Sequence, residues 1–333
     1  MKRSVFDALR RGLDNALMNW GLVVIRLVEI VVFALISVGA AIAILVPILA
    51  GIGIEIMDID TPDQIESLFM ALLDRWGLLI WIFVGISVLL LVFVAVHSFV
   101  EAGCARVAVD ADRAAGPAMN APRSSYRVFS MQRWLAGAKD GWWTVFWIYN
   151  FAWGVAGLIL LIPLAPTAVI MLMVRETPAV LIGTGCVGLA ITFMLMIVVG
   201  IVTSMWTMRA IADWAVDHSS ASTALSGAWA SVKADLGRHF VIALAIVVIA
   251  MAGSSFFASF SYMFAFAEVF HQKGMFNFIS IPVRLFATLL NWAFSAFVTS
   301  WYLAAYASLA VEGSLKVSKA QSLKEEPPLS LSS

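Results

Sequence analysis

Six long apolar stretches constrain the fold of this chain more than any other feature. They occupy about residues 21–50, 77–100, 143–172, 179–208, 239–266 and 285–310. A helix needs about 20 apolar residues to cross a hydrocarbon core of about 30 Å, so each stretch can span a bilayer. Backbone groups in lipid must bond within their own structure, and these stretches lack the alternation of barrel strands. The sequence therefore predicts an all-α polytopic membrane protein with six transmembrane helices.

The composition of the chain agrees with this fold class. Hydrophobic residues make up 62% of the 333 residues, charged residues make up 13%, and the mean hydropathy is +0.94. These values do not fit a soluble domain. The longest stretch between predicted spans has about forty residues, which is too short for a core of its own. We therefore expect a single membrane domain over residues 1–316 and a polar, disordered cytoplasmic tail over 317–333.

A short pattern recurs three times, at the end of every second predicted span. An aromatic residue is followed by alanines six and nine positions later, by a valine at ten and by an acidic residue at eleven. We call these the signature segments: Phe99 with Ala105, Ala108, Val109 and Asp110; Trp206 with Ala212, Ala215, Val216 and Asp217; Trp301 with Ala307, Ala310, Val311 and Glu312. The spacing between copies predicts three repeats, at about 1–112, 113–218 and 219–316.

Each predicted repeat begins with a stretch in which apolar residues recur every three or four positions, as on one face of a helix. The sets are Phe6, Leu9, Leu13, Leu17 and Trp20; Leu225, Trp229, Val232, Leu236 and Phe240; and, more loosely, Met131, Trp134 or Leu135, Ala138 and Trp142. We expect interfacial helices whose basic residues meet the anionic headgroups of the lipid bilayer. Each repeat would then be an amphipathic helix plus a helical hairpin. The amphipathic helices would anchor and orient the hairpins; the alternative is that they act in gating or in docking protein partners in the membrane.

The distribution of basic residues predicts the orientation. Lysine and arginine total 21, as do the acids, so the net charge is zero and only the local imbalance is informative. Sixteen of these basic residues lie on the side of the termini in a six-span arrangement, four lie on the other side, and Arg26 lies within the first span. Both termini are therefore predicted to be cytoplasmic, in the bacterial inner membrane. The first outer loop is acidic, with Glu55, Asp58, Asp60, Asp63, Glu66 and Asp74.

The signature segments have a packing interpretation and a functional one. Two alanines three positions apart lie on one helix face and let a neighbouring backbone approach. The acids Asp110, Asp217 and Glu312 lie where the helix dipole disfavours negative charge, so each is expected to have a partner. The nearby candidates are Arg106, Arg209 and Lys316. The alternative is that the three acids form a ring at the inner mouth of a central path.

Few ionisable residues lie within the predicted spans, where a charge is costly unless it is paired. Arg26 and Glu29 are one turn apart, and so are His97 and Glu101. Arg209 is likewise four positions before Asp213. Together, Arg26, Glu29, His97, Glu101 and Arg209 could line a polar pocket; the alternative is local pairing and snorkelling to the headgroups. Pro47, Pro163 and Pro166 are expected to kink or end their helices.

The motifs of common catalytic and metal sites are absent from the sequence. Cys104 and Cys186 are too few and too far apart for a zinc site, and the four histidines form no HExxH pair. A phosphate-binding GxxxxGK[ST] loop does not occur either. We therefore expect no catalytic residues, no metal and no cofactor, and the chain is not expected to be an enzyme or to bind nucleic acid.

The basic amphipathic stretch at 224–239, which leads directly into a span, is similar to a pattern in poorly characterised bacterial six-helix membrane proteins. An example is the membrane domain attached to some glycerophosphodiester phosphodiesterases. The resemblance covers the organisation of most of the chain. It implies a membrane domain of this kind, and it does not imply the hydrolase activity, because the soluble hydrolase domain is not part of the match.

The functional hypothesis is a noncatalytic integral membrane protein with an envelope-related, lipid-related or assembly role. The alternative is a pseudo-threefold transporter or channel for a small solute or a lipid, for which the polar pocket would supply the site. A lipid-modifying enzyme is the third class. It would require an activity that is lost when a named acid or histidine is replaced.

Overall fold

The computed structural model describes residues 3–52, 76–118, 120–173, 177–270 and 275–325, and the regular elements in these ranges are all helical. A 3₁₀ turn, Arg123–Tyr126, precedes the fourth α-helix. The helices are α1 (Val5–Met18), α2 (Gly21–Ile52), α3 (Trp76–Ala115), α4 (Met131–Met173), α5 (Pro178–Asp217), α6 (Ala221–Ala234), α7 (Leu236–Phe270) and α8 (Met275–Glu325). The all-helical prediction is confirmed for the described part of the chain.

Six of these helices are long and apolar enough to cross a membrane. The candidate spans are Gly21–Ile48, Trp76–Ala115, Met131–Met171, Gly183–Asp217, Leu236–Phe260 and Ile281–Leu315. Their most apolar windows are between 0% and 17% buried within the protein. Such apolar, outward-facing surfaces require lipid around them. The prediction of six long apolar helices, typical of a polytopic membrane protein, is confirmed.

The chain divides into two compact units. The smaller unit is Arg26–His97, and the larger one comprises Met1–Ile25 and Ser98–Ser333. In the smaller unit, α2 and α3 pack side by side, and the rings of Phe33 and Phe93 lie 4.8 Å apart. In the larger unit, α4 packs against α5 and α7 against α8, while the shorter helices α1 and α6 lie on α8 and α5 respectively.

The core of the larger unit lies around the signature segments. All six signature alanines and all three signature valines are buried. The inward faces of the shorter helices complete this core, with Ala8 and Ala16 from α1 and Ala224 and Ala228 from α6. Small side chains permit close helix packing. Gly12 of α1 illustrates this, because a Cβ there would lie 2.7 Å from the backbone nitrogen of Ala305 on α8.

A serine starts each of the three predicted amphipathic segments. Ser4 forms a capping box with Asp7: its hydroxyl accepts from the Asp7 N–H at 3.1 Å, and the Asp7 carboxylate accepts from the Ser4 N–H at 2.9 Å. The Ser4 hydroxyl holds the pKa of Asp7 below its usual value. Ser130 and Ser220 accept from the N–H groups three residues later, at 3.2 and 3.4 Å. Each hydroxyl satisfies a helix-end donor that would otherwise lack a partner.

The second and third amphipathic segments differ from the prediction. Met131 begins a helix of 43 residues, so this segment is continuous with the span that follows. Residues 131–148 contain no proline, and the helix continues through Gly137 and Gly141. By contrast, α6 ends at Ala234, and Leu236 and Phe240 belong to the next helix.

The structure also shows where the helices run at the prolines and near the tail. Helices α2 and α4 continue through Pro47, Pro163 and Pro166, so the helices do not end there and the predicted kinks stay a prediction. The hydroxyl of Thr167 donates to the carbonyl of Pro163 at 2.7 Å, which supplies one bond in the proline-rich turn. Helix α8 runs to Glu325, nine residues into the predicted tail, because 315–325 is rich in helix-forming residues. The acidic loop at 55–74 and residues 326–333 lie outside the described residues.

Candidate functional site

The signature aromatics contact the amphipathic segments directly. Trp301 Nε1 on α8 donates to the carbonyl of Leu9 on α1 at 2.8 Å, and Trp206 Nε1 on α5 donates to the carbonyl of Leu225 on α6 at 2.8 Å. Leu9 and Leu225 both lie five residues after the capping serine. Phe99 packs edge-on against Trp134 of α4, with ring centroids 5.7 Å apart. Each aromatic of the signature thus holds one amphipathic segment against a long helix.

Several polar side chains in and just before α1 are buried in the protein, Arg3, Arg11, Asp14 and Asn15 among them. Arg3 Nη1 donates to Asp112 Oδ2 at 2.8 Å and to the hydroxyl of Ser308 at 2.7 Å. Arg11 Nε donates to Asp112 Oδ1 at 2.9 Å. Asp112 is 1% exposed and lies two residues after a signature acid. These two arginines therefore bind a buried carboxylate; Arg11 belongs to the first amphipathic stretch, and the headgroup contact of the other basic residues of these stretches stays a prediction.

The three signature acids have different surroundings. Asp110 lies 3.7 Å from Arg106 Nε and 3.9 Å from Arg133 Nε. Glu312 accepts from Arg238 Nη2 at 2.5 Å, whereas Lys316, the candidate partner from the sequence, has a side chain outside the described residues. Asp217 is exposed at the end of α5. The described structure thus assigns the acids individual environments, and the ring of acids stays a prediction.

The residues predicted to line a polar pocket fall in both compact units. In the smaller unit, His97 Nδ1 lies 2.6 Å from Glu29 Oε1, and Arg26 is buried one turn before Glu29. In the larger unit, Glu101 is fully buried, and Arg209 Nε donates to Asp213 Oδ2 at 3.0 Å. The structure thus brings together Glu29 with His97 and Arg209 with Asp213. The pocket as a whole stays a prediction.

A buried cluster of hydroxyl and imidazole groups was not foreseen from the sequence. The Ser204 hydroxyl on α5 donates to the Tyr302 hydroxyl on α8 at 3.1 Å. One turn later, the Tyr306 hydroxyl donates to the carbonyl of His239 on α7 at 3.2 Å. The Nδ1 atom of His239 has no hydrogen-bond partner among the described residues. The sequence feature that could have indicated this cluster is the four-residue spacing of Tyr302 and Tyr306, which places both on one face of the last span.

An apolar pocket of about 770 Å³ lies between α4, α5 and α6. Small side chains on the two long helices create the space, and four aromatic rings surround it. We call it the tryptophan pocket, and the lining residues used below are Trp147, Phe151, Trp206, Trp229, Ala152 and Val202. Serine and threonine supply the polar part of the lining, and no charged residue belongs to it.

A second pocket, of about 340 Å³, lies where α1 meets α2 and the loop before α4 passes by. We call it the junction pocket, and its walls include Asn19, Trp20, Val24, Arg127, Phe129 and Met131. Within this loop, burial raises the pKa of the Tyr126 hydroxyl, and the Arg11 guanidinium lies 5.4 Å from the Tyr126 ring.

Comparison of the chain with protein-family models, with curated proteins and with solved structures found no match. Among the described residues, no group of three or more histidine, cysteine, aspartate or glutamate side chains is placed to hold a metal ion. The tryptophan pocket, the junction pocket and the buried polar pairs are therefore the candidate functional features of the described structure.

Proposed function

We propose that this chain is a noncatalytic integral membrane protein with a lipid-related role, and that the tryptophan pocket holds the hydrocarbon chain of a bilayer lipid. The pocket carries the proposal. Its volume of about 770 Å³ lies within the range of small-ligand sites, and its lining is apolar apart from a few hydroxyl groups. A hydrocarbon chain matches this lining, whereas a charged solute would lose its hydration without compensation.

The position of the pocket supports a lipid as the occupant. Two of its walls are membrane-spanning candidates, α4 and α5, and the third is the amphipathic helix α6. On this helix, Lys233 Nζ lies 5.6 Å from the centre of the Trp229 ring. A cation next to an aromatic ring is typical of the membrane interface. A lipid in this pocket would have its chain among Ala152, Phe151 and Val202 and its polar end near α6.

The proposal extends to the arrangement of the chain. The three aromatic contacts with Leu9, Leu225 and Trp134 support three repeats of an amphipathic helix plus a hairpin. The excess of basic residues supports a bacterial cytoplasmic membrane location with both termini inside. The similarity to the membrane domains attached to some glycerophosphodiester phosphodiesterases is part of the same proposal and carries no activity.

The lipid proposal can be tested by filling the tryptophan pocket with a larger side chain. Val202 is half-buried in its lining, so Val202→Trp should exclude part of a lipid chain. Val187→Trp is the matched control, since Val187 lies on the same helix, is 60% exposed and is outside the lining. The measurement is crosslinking, in nanodiscs, of a phospholipid with a photoactivatable chain to peptides that contain Trp147 or Trp229.

Val202→Trp should reduce this crosslinking about tenfold or more, because losing two buried methylene groups at about 0.8 kcal/mol each has that effect. The control should stay close to the unmodified protein. Equal crosslinking in Val202→Trp and the unmodified protein would rule out a lipid chain in this pocket.

A second candidate function, transport of a small solute, is favoured by the Glu29–His97 pair. Ionisable residues inside a membrane commonly mark transport pathways, and Glu29 is 4% exposed. In liposomes, Glu29→Gln and Glu101→Gln should each slow solute flux. Unchanged flux in both variants would rule out a transport role for Glu29 and Glu101, and it would not affect the lipid proposal.

A further inference from the structure

We propose that the junction pocket binds the phosphate-bearing headgroup of an anionic membrane phospholipid and that Arg127 is the residue that contacts it. This inference rests on the proposed lipid-related role, but it uses residues that are not part of the tryptophan pocket. Every residue that lines the junction pocket belongs to the larger compact unit.

Among the residues that line the junction pocket, Arg127 is the cation available for a ligand. Arg123 donates to Asp14 Oδ1 at 2.7 Å, and Arg133 Nη1 donates to the carbonyl of Val128 at 2.8 Å. The exposed guanidinium of Arg127 has no carboxylate or carbonyl partner among the described residues, and it lines the pocket. An unpaired guanidinium in a pocket is complementary to a phosphate group, with which it can form two parallel hydrogen bonds.

One side chain, that of Asn19, bonds to the backbone of the loop both before and after Arg127. Asn19 Nδ2 donates to the carbonyl of Tyr126 at 2.8 Å. Asn19 Oδ1 accepts from the N–H groups of Val128 and Phe129 at 3.1 and 2.9 Å. Because Asn19 is fully buried and bonded to residues on both sides of Arg127, the backbone at Arg127 is fixed before any ligand arrives. Asn19 is therefore a positioning residue.

The other walls of the pocket suit the apolar part of a lipid. Val24 and Ile25 lie at the start of a membrane-spanning candidate, and together with Phe129 and Met131 they give the pocket apolar walls. Trp20 lines the same pocket and is 68% exposed, which is typical of an aromatic residue at the level of the headgroups. A basic pocket next to a membrane-spanning helix fits an anionic headgroup, whereas a free phosphate ion would leave these apolar walls uncovered.

The test compares the full chain with variants in nanodiscs of phosphatidylcholine that contain a small fraction of phosphatidylglycerol. Native mass spectrometry counts the phosphatidylglycerol molecules that stay bound after release from the disc. Arg127→Gln removes the contact, and Arg127→Lys keeps the charge without the planar fork. Lys139→Gln is the matched control, because Lys139 is exposed and outside the pocket, and the change removes one positive charge as Arg127→Gln does.

We expect Arg127→Gln to lower phosphatidylglycerol retention about tenfold, a loss typical of a charge-assisted hydrogen bond. The retention by Arg127→Lys should lie between that of Arg127→Gln and that of the unmodified protein. Lys139→Gln should retain the lipid as the unmodified protein does. Retention by Arg127→Gln equal to that of the unmodified protein would overturn the proposal. Displacement of the lipid by millimolar inorganic phosphate would also overturn it, because the site would then be one for soluble phosphate.

The two lipid proposals can fail separately. If Arg127→Gln keeps its phosphatidylglycerol while Val202→Trp loses chain crosslinking, the headgroup site is wrong and the tryptophan pocket stands. If Arg127→Gln loses the lipid while Val202→Trp crosslinks normally, the junction pocket stands and the tryptophan pocket is wrong.

Discussion

Single residues explain why α1 is fixed to the rest of the larger unit. One carboxylate, Asp112, accepts from both Arg3 and Arg11, and all three side chains are buried. Two cations around one acid leave a net positive charge, which the carbonyls of Ala118 and Gly116 offset by accepting from Arg11 at 2.8 Å each. A buried charge cluster of this kind is sensitive to the loss of any member.

Replacing Asp112 by Asn should therefore destabilise the protein strongly. The change leaves two buried guanidinium groups without a counter-charge, and removing one partner of a buried pair costs about 3–5 kcal/mol. The measurement is the free energy of unfolding in detergent micelles. Asp140→Asn is the control, since Asp140 is exposed and pairs with His218 at the surface, where ion pairs contribute about 0–1 kcal/mol. Equal stability of the two variants would contradict a central role for Asp112.

At the scale of elements, the sequence predicted the long helices well and their junctions poorly. Apolar stretches of more than 20 residues identify spans because lipid admits little else than helix. Helix α4 continues through Pro163 and Pro166, and the hydroxyl of Thr167 donates to the carbonyl of Pro163 within this proline-rich turn. Contacts far apart in the chain, such as Asn19 with the loop after Tyr126, depend on tertiary structure and leave no periodic signal.

The indole of Trp301 should hold α1 onto α8. Trp301→Phe keeps the ring but removes the N–H that donates to Leu9, and a lost hydrogen bond of this kind costs about 1 kcal/mol. Amide hydrogen exchange in α1 should speed up about fivefold as a result. Trp206→Phe should do the same in α6 through Leu225, and each variant should leave the other helix unchanged. Faster exchange throughout the protein in either variant would indicate general destabilisation instead.

At the scale of the whole molecule, the signature segments connect the two ends of the chain. The first amphipathic helix, α1, is held by the last long helix, α8, through Leu9, Gly12 and Arg3. The recurrence of these segments is visible in the sequence, and the burial of their alanines agrees with the packing interpretation, but the sequence could not predict which segment holds which helix. That pairing depends on the order of helices in space, which one-dimensional spacing does not contain.

The contact between α1 and α8 requires residues 5–18 and residues 301–312 to lie on one side of the membrane. The basic residues predict that this side is the cytoplasm. A fluorescent reporter that folds only in the cytoplasm should therefore be bright when fused after Lys316, and alkaline phosphatase, which is active only outside, should be inactive there. In the acidic loop, for example after Asp60, the two reporters should behave in the opposite way. Phosphatase activity after Lys316 would reverse the orientation, and with it the leaflet from which the junction pocket takes its lipid, because this pocket is lined by Met18 at the end of α1.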